Sequence, residues 1–125
     1  MRRHVPKRIL IVDDSASARQ VAGAALTHAG FEVVEAVDGE DGLNKLRGEL
    51  HLIISDVNMP RMNGIEFLKA VMAHARYKFT PVIMLTMEAG EDKRSQGRAA
   101  GAKAWLTKPF QPQTLVDVVS KLVHA

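Results

Sequence analysis

The chain has 125 residues, 46% of them hydrophobic and 25% charged, which is the composition of one ordinary globular domain and leaves no room for a second. A formal net charge of +3 is too mild to argue for nucleic acid, and the absence of cysteine excludes disulfides and thiol chemistry. The basic opening "MRRHVPKR" leads into "ILIV", too short for a signal-peptide core, and no segment approaches the ~20 apolar residues that span a bilayer, so a cytoplasmic protein without membrane insertion is expected, with residues 1–125 as a single domain.

Short apolar runs alternate with helix-period segments. "RILIV" (8–12) reads as the first strand; Ala18, Val21, Ala22, Ala25, Leu26 and Ala29 then recur at helical spacing as far as Gly30, a natural residue just past a helix end. "EVVEA" (32–36) is the second strand. Asp38 follows as an N-cap, with Glu40 and Asp41 in the first turn of a short helix reaching about Leu46. "LIIS" (52–55) is the third strand, and its helix opens near Asn63 and Gly64 and carries Ile65, Leu68, Val71 and Met72. "PVIML" (81–85) is the fourth, begun by a proline where one is tolerated. "EDKRSQGRAAG" (91–101) predicts a fourth helix without large apolar side chains and with Gly97 in its interior, hence weakly anchored. "AWL" (104–106) is the fifth strand, and the last helix opens at Pro112 and presents Leu115, Val118, Val119 and Leu122 on one face.

Five βα units predict an α/β fold, a doubly wound five-stranded parallel sheet with helices on both faces and right-handed crossovers. The working edge of such a sheet is formed by the carboxyl ends of its strands. Asp13 and Asp14 stand there after the first strand, Asp56 after the third, Thr86 after the fourth and Lys108 after the fifth. Three converging carboxylates repel by a few kcal/mol per close pair at an effective dielectric of ~20, a conflict that a divalent cation removes. Oxygen-only ligands favour Mg²⁺, while Lys108 and the Thr86 hydroxyl suit phosphoryl oxygens. The edge is therefore read as a site for phosphoryl transfer with Asp56 as the nucleophile.

The residues "VDD" at 12–14, "SDVNMPRMNG" at 55–64, "MLT" at 84–86 and "KPF" at 108–110 stand in one order and spacing. In these, from about Lys7 to Val123, the chain resembles a response-regulator receiver domain, and within that family the stand-alone, CheY-like chemotaxis regulators. The resemblance implies the flavodoxin-like strand order 2-1-3-4-5, phosphoryl acceptance by Asp56 and Mg²⁺ held by Asp13, Asp14, Asp56 and the main-chain carbonyl of Asn58. It also implies Lys108 and Thr86 as phosphoryl ligands, a cis bond between Lys108 and Pro109, and a switch that couples Thr86 to Trp105.

The chain departs from the family's usual pattern at Met87, a position generally small, where added bulk implies slower or more selective access of the phosphodonor. Trp105 is larger than the usual Tyr or Phe. Met87 and Glu88 are implied as modulators, and Asn58 and Glu88, which flank the phosphoryl site, match the chemotaxis regulators, which implies fast self-dephosphorylation or a dedicated phosphatase. No effector domain is expected after Ala125, and output by binding is expected with it.

Plainer readings stand beside these. Asp13 and Asp14 alone would be a helix-capping turn, Thr86 a strand residue, and Trp105 an aromatic packed on the last helix. His4, His28, His51, His74 and His124 lack ligand spacing and read as surface residues. Met59, Met62, Met84 and Met87 read as core or loop fillers. Lys93, Arg94, Arg98 and Lys103 are a solvated face that borders Trp105 on the surface receivers use for output.

The expectation is a switch, not an enzyme: a sensor histidine kinase (CheA-like) phosphorylates Asp56 with Mg²⁺, and the protein then binds a flagellar switch or other output protein, in chemotaxis or motility. A phosphate sink for a kinase is the alternative. A haloacid-dehalogenase-like phosphatase would need an acid at the position of Asn58, and a flavodoxin-like cofactor carrier would need a glycine- and hydroxyl-rich loop where "DDSAS" stands.

Overall fold

The computed structural model describes residues 5–87 and 91–124, without the side chains of 91–94, 97 and 124. The strands are β1 (Arg8–Val12), β2 (Glu32–Ala36), β3 (Leu52–Asp56), β4 (Val82–Thr86) and β5 (Ala104–Thr107). The helices are α1 (Ala16–His28), α2 (Gly39–Asn44), α3 (Gly64–Ala73), α4 (Glu91–Ala100) and α5 (Pro112–His124). All strand pairs are parallel and the order is β2-β1-β3-β4-β5, as expected from the resemblance. Glu88 lies outside the described residues, as do the side chains of Lys93 and Arg94.

The three inner strands are apolar without alternation because both of their faces are covered: β3 and β4 are buried throughout, and so is β1 after Arg8. The edge strands β2 and β5 are only partly buried. On one face Ile9, Ile11, Ile54, Ile83 and Leu85 pack against Ala22 and Leu26 of α1 and Leu115 and Val119 of α5. On the other, Leu10, Val12, Ile53 and Met84 pack against Phe67, Leu68 and Val71 of α3, with Leu43 of α2 and Ala100 of α4 at the margin. Each fully buried Ile or Leu contributes about 2 kcal/mol by this burial.

Three helices are started by a side chain suited to capping. Ser15 Oγ accepts from the Ala18 N–H at 3.2 Å, Asp38 Oδ1 from the Asp41 N–H at 2.8 Å, and Asn63 forms a reciprocal capping box with Glu66. Gly30 ends α1 at φ +98°, where a side chain would be strained.

Four details differ from the sequence reading. Asp56, Thr86 and Thr107 belong to their strands, so the functional residues continue the hydrogen-bond ladder by one step, while Pro81 precedes β4. The helix expected to reach Leu46 ends at Asn44, with Lys45 as its cap. Trp105 does not pack on the last helix: strand alternation sends Ala104 and Leu106 to the α1/α5 face and Trp105 to the opposite face, beside Ala100 and Ala102. His51 is half-buried, and its Nδ1 accepts the Arg8 N–H at 2.9 Å, closing the start of β1.

Candidate functional site

The carboxyl ends of β1 and β3 are adjacent in the sheet, so the residues that follow or end them meet. Asp13, Asp14 and Asp56 each offer an oxygen, and these oxygens lie within 4.8 Å of one another. Asp13 and Asp56 are buried, at 1% and 4% exposure, while Asp14 is exposed. Asp13 is held on every side. Its N–H donates to the Ala36 carbonyl at 3.1 Å, its carbonyl accepts from Arg19 Nη1 at 2.7 Å, and its Oδ1 accepts from the Ser15 N–H at 2.9 Å.

Lys108 bridges the pair. Its Nζ donates to Asp13 Oδ2 at 2.7 Å and lies 3.5 Å from Asp56 Oδ1. The Asn58 backbone amide also favours the ionised form of the Asp56 carboxyl. Even so, burial, and then the neighbouring Asp13 charge, push the Asp56 carboxyl up from 3.8 to about 6 against the opposing pull of Lys108 and Asn58. One lysine thus leaves excess negative charge in a buried site, and Asp56 Oδ1 has no hydrogen-bond partner among the described residues. A hard divalent cation fits both facts: it supplies the missing charge, and the oxygen-only donor set is the kind Mg²⁺ takes.

The remaining predicted residues lie around this cluster. Thr86 is fully buried at the end of β4, and its carbonyl accepts from the Lys108 N–H at 2.7 Å. The Lys108–Pro109 bond is cis. Met87 is 71% exposed and lines, with Ser17, Ala18, Val21, Pro109 and Phe110, an open apolar groove that reaches Lys108. Trp105 sits farther off on β5. Its Nε1 is buried without a hydrogen-bond partner among the described residues, and the side chain borders a polar pocket with Arg98 and Lys103.

Gly64 sets how closely α3 approaches Asp56. Its N–H donates to the Val57 carbonyl at 2.8 Å, and a Cβ there would collide with the Asp56 carbonyl oxygen and come within 2.8 Å of the Val57 Cα.

One pair beside the site was not read from the sequence. Arg61 has φ +66°, and its Nη2 donates to Asp38 Oδ2 at 2.8 Å. The Asp38 carboxyl is held below its ordinary value by the Asp41 N–H and then by this guanidinium. "MPRMNG" carries no local sign that its arginine takes a left-handed conformation, and in the sequence Asp38 reads as a helix cap alone.

Comparison with known proteins agrees with this geometry. Residues 9–120 match the family described as response regulator receiver domain. Chemotaxis protein CheY1 of Helicobacter pylori is 37% identical over 113 residues, covering 88% of this chain and 91% of that protein. Chemotaxis protein CheY of Pseudomonas aeruginosa is 38% identical over 117 residues, covering 92% and 94%. The chemotaxis response regulator CheY4 of Vibrio cholerae superposes with a TM-score of 0.89 at 46% identity, covering 94% of this chain and 99% of that one.

Proposed function

The chain belongs to the response regulator receiver family, whose members are phosphorylation-controlled modules of two-component signalling, and we propose that it is a chemotaxis switch whose phosphoacceptor is Asp56. The observation that carries this reading is the buried Asp56 oxygen, without a hydrogen-bond partner among the described residues and 3.5 Å from the Lys108 ammonium, beside two further carboxylates. The phosphodonor is a CheA-like sensor histidine kinase, the output is binding to the flagellar switch or another target, and a phosphatase resets the protein.

Asp13, Asp14, Asp56 and the Asn58 carbonyl would hold Mg²⁺, which supplies the positive charge that lets phosphoryl oxygens approach carboxylates. With its carboxyl near 6, Asp56 is mostly ionised at neutral pH. Its oxygen bonds to phosphorus as the nitrogen–phosphorus bond of the donor phosphohistidine breaks, and the electron pair leaves on the imidazole, which takes a proton. Lys108 then exchanges a carboxylate contact for a phosphoryl oxygen, and the Thr86 hydroxyl donates to another. The protein thereby catalyses its own phosphoacceptance and dephosphorylation, tuned by Met87 and Glu88, without turnover of a separate substrate. Thr86 couples to Trp105, whose buried indole N–H, unpartnered among the described residues, is an environment that a rearrangement can improve.

Acetyl phosphate with Mg²⁺ should add one phosphoryl mass, read by intact mass spectrometry, and the label should disappear in Asp56→Asn or with chelator. Undiminished labelling in either case would overturn the assignment.

A further inference from the structure

We propose that Arg61 is a positioning residue for the acidic site: by clamping Asp38 it fixes the segment after Asp56 against the turn after β2, and so sets the place of the Asn58 main chain beside Asp13 and Asp56. The proposal rests on the receiver reading of that site and concerns residues outside its ligand set.

The segment from Val57 to Asn63 is tied at both ends. The Val57 N–H donates to the Leu85 carbonyl at 2.9 Å, and the Gly64 N–H returns to the Val57 carbonyl. Between these ties Met59 is buried, and a tight turn follows in which the Met62 N–H donates to the Pro60 carbonyl at 2.7 Å, across Arg61 at φ +66°. A three-residue turn with positive φ is strained for any residue with a side chain, and such strain persists only where surrounding contacts hold it. Neighbouring side chains supply those contacts. Arg61 Nη2 reaches Asp38 Oδ2 at 2.8 Å, its Nε lies 3.8 Å from Glu40 Oε2, and the Met62 side chain fills the space beside Gly39, where a Cβ would come within 2.9 Å of its Cγ.

Asp38 thus has two tasks on two oxygens, capping α2 with Oδ1 and holding Arg61 with Oδ2. The same corner anchors the other half of the site, because the Asp13 N–H bonds the Ala36 carbonyl at the end of β2. Asp13, Ala36, Asp38 and Arg61 therefore link the turn after β2 to both the first carboxylate and the segment that carries Asn58. Arg61 itself is 67% exposed, so a bond of this kind contributes little to global stability. Its effect falls on the geometry of the segment it holds.

Asparagine retains the capping oxygen but not the charge, so Asp38→Asn separates the two tasks. Arg61→Gly removes the guanidinium and relieves the turn at once. Mg²⁺ titration of each purified protein, followed by backbone amide resonances, should show affinity lowered about tenfold in both variants, as for loss of a partner that orients a metal ligand. The double variant should be no weaker than either single one, and Arg61→Lys should recover part of the loss. Without metal, the Asn58 amide should exchange its hydrogen faster in both.

Wild-type Mg²⁺ affinity and Asn58 exchange in folded Arg61→Gly would overturn the clamp. So would a loss in Asp38→Asn alone, which would place the effect in the helix cap. Absence of Mg²⁺ binding by the wild type, with Asp56→Asn indistinguishable from it, would instead overturn the metal-site reading and the clamp with it.

Discussion

Asp56 is ionised at a cost, and replacing it with asparagine should make the protein more stable. Its carboxyl titrates near 6 in the folded chain against 3.8 ordinarily, raised by burial and by Asp13. Between these values the native state holds a proton that the unfolded chain has released, so stability falls as pH rises from about 4 to about 6 and stays low above. At about 1.4 kcal/mol per pH unit, the ionised side chain costs about 3 kcal/mol at pH 7.5 and about 1 kcal/mol at pH 4.5. Asn is a near-isosteric neutral replacement, so Asp56→Asn should gain up to about 3 kcal/mol at pH 7.5. With an unfolding entropy of about 2.1 cal/mol/K per residue, that is a rise of about 10 °C in Tm. The assay is thermal and urea unfolding in chelator at both pH values. Asp38 does not confuse this window, because its carboxyl is depressed and its stabilisation is lost only at lower pH. Equal stability of the two proteins at pH 7.5, or a gain as large at pH 4.5, would refute the account of a charge held in a buried, carboxylate-rich site.

Two further outcomes follow from the rim and the far side of the site. Met87→Ala should accelerate labelling by small phosphodonors, measured as the initial rate with acetyl phosphate, and equal rates would show that this exposed side chain does not restrict access. Beryllofluoride with Mg²⁺ should change the emission of Trp105, the sole tryptophan, together with affinity for an output peptide; if both stay flat with the site occupied, the protein acts as a phosphate sink.

The sheet was legible because its strands are short apolar runs bounded by cap and turn residues. "RILIV" and "EVVEA" match β1 and β2 residue for residue. The meeting of Asp13, Asp14 and Asp56 was legible too, since parallel strands deliver their carboxyl ends to one edge. The side of β5 that bears Trp105 was not: a run of three residues gives too little alternation to choose a face. Tyr77 escaped notice because its burial depends on a partner distant in sequence, the Gly48 carbonyl that its hydroxyl reaches at 2.7 Å. Arg61 was hidden for the same reason as its turn, because an arginine at positive φ is selected by tertiary contacts and has no local signature.

The sheet is also a partition. Isoleucine and leucine from the inner strands fill the layer under α1 and α5, while a different set from the same strands, with Met84 and Trp105, fills the layer under α3, and the two clusters share none of their described residues. A change of side-chain volume beneath α1 and α5 therefore meets its first neighbours within that layer, while Trp105 and the α3 layer keep theirs.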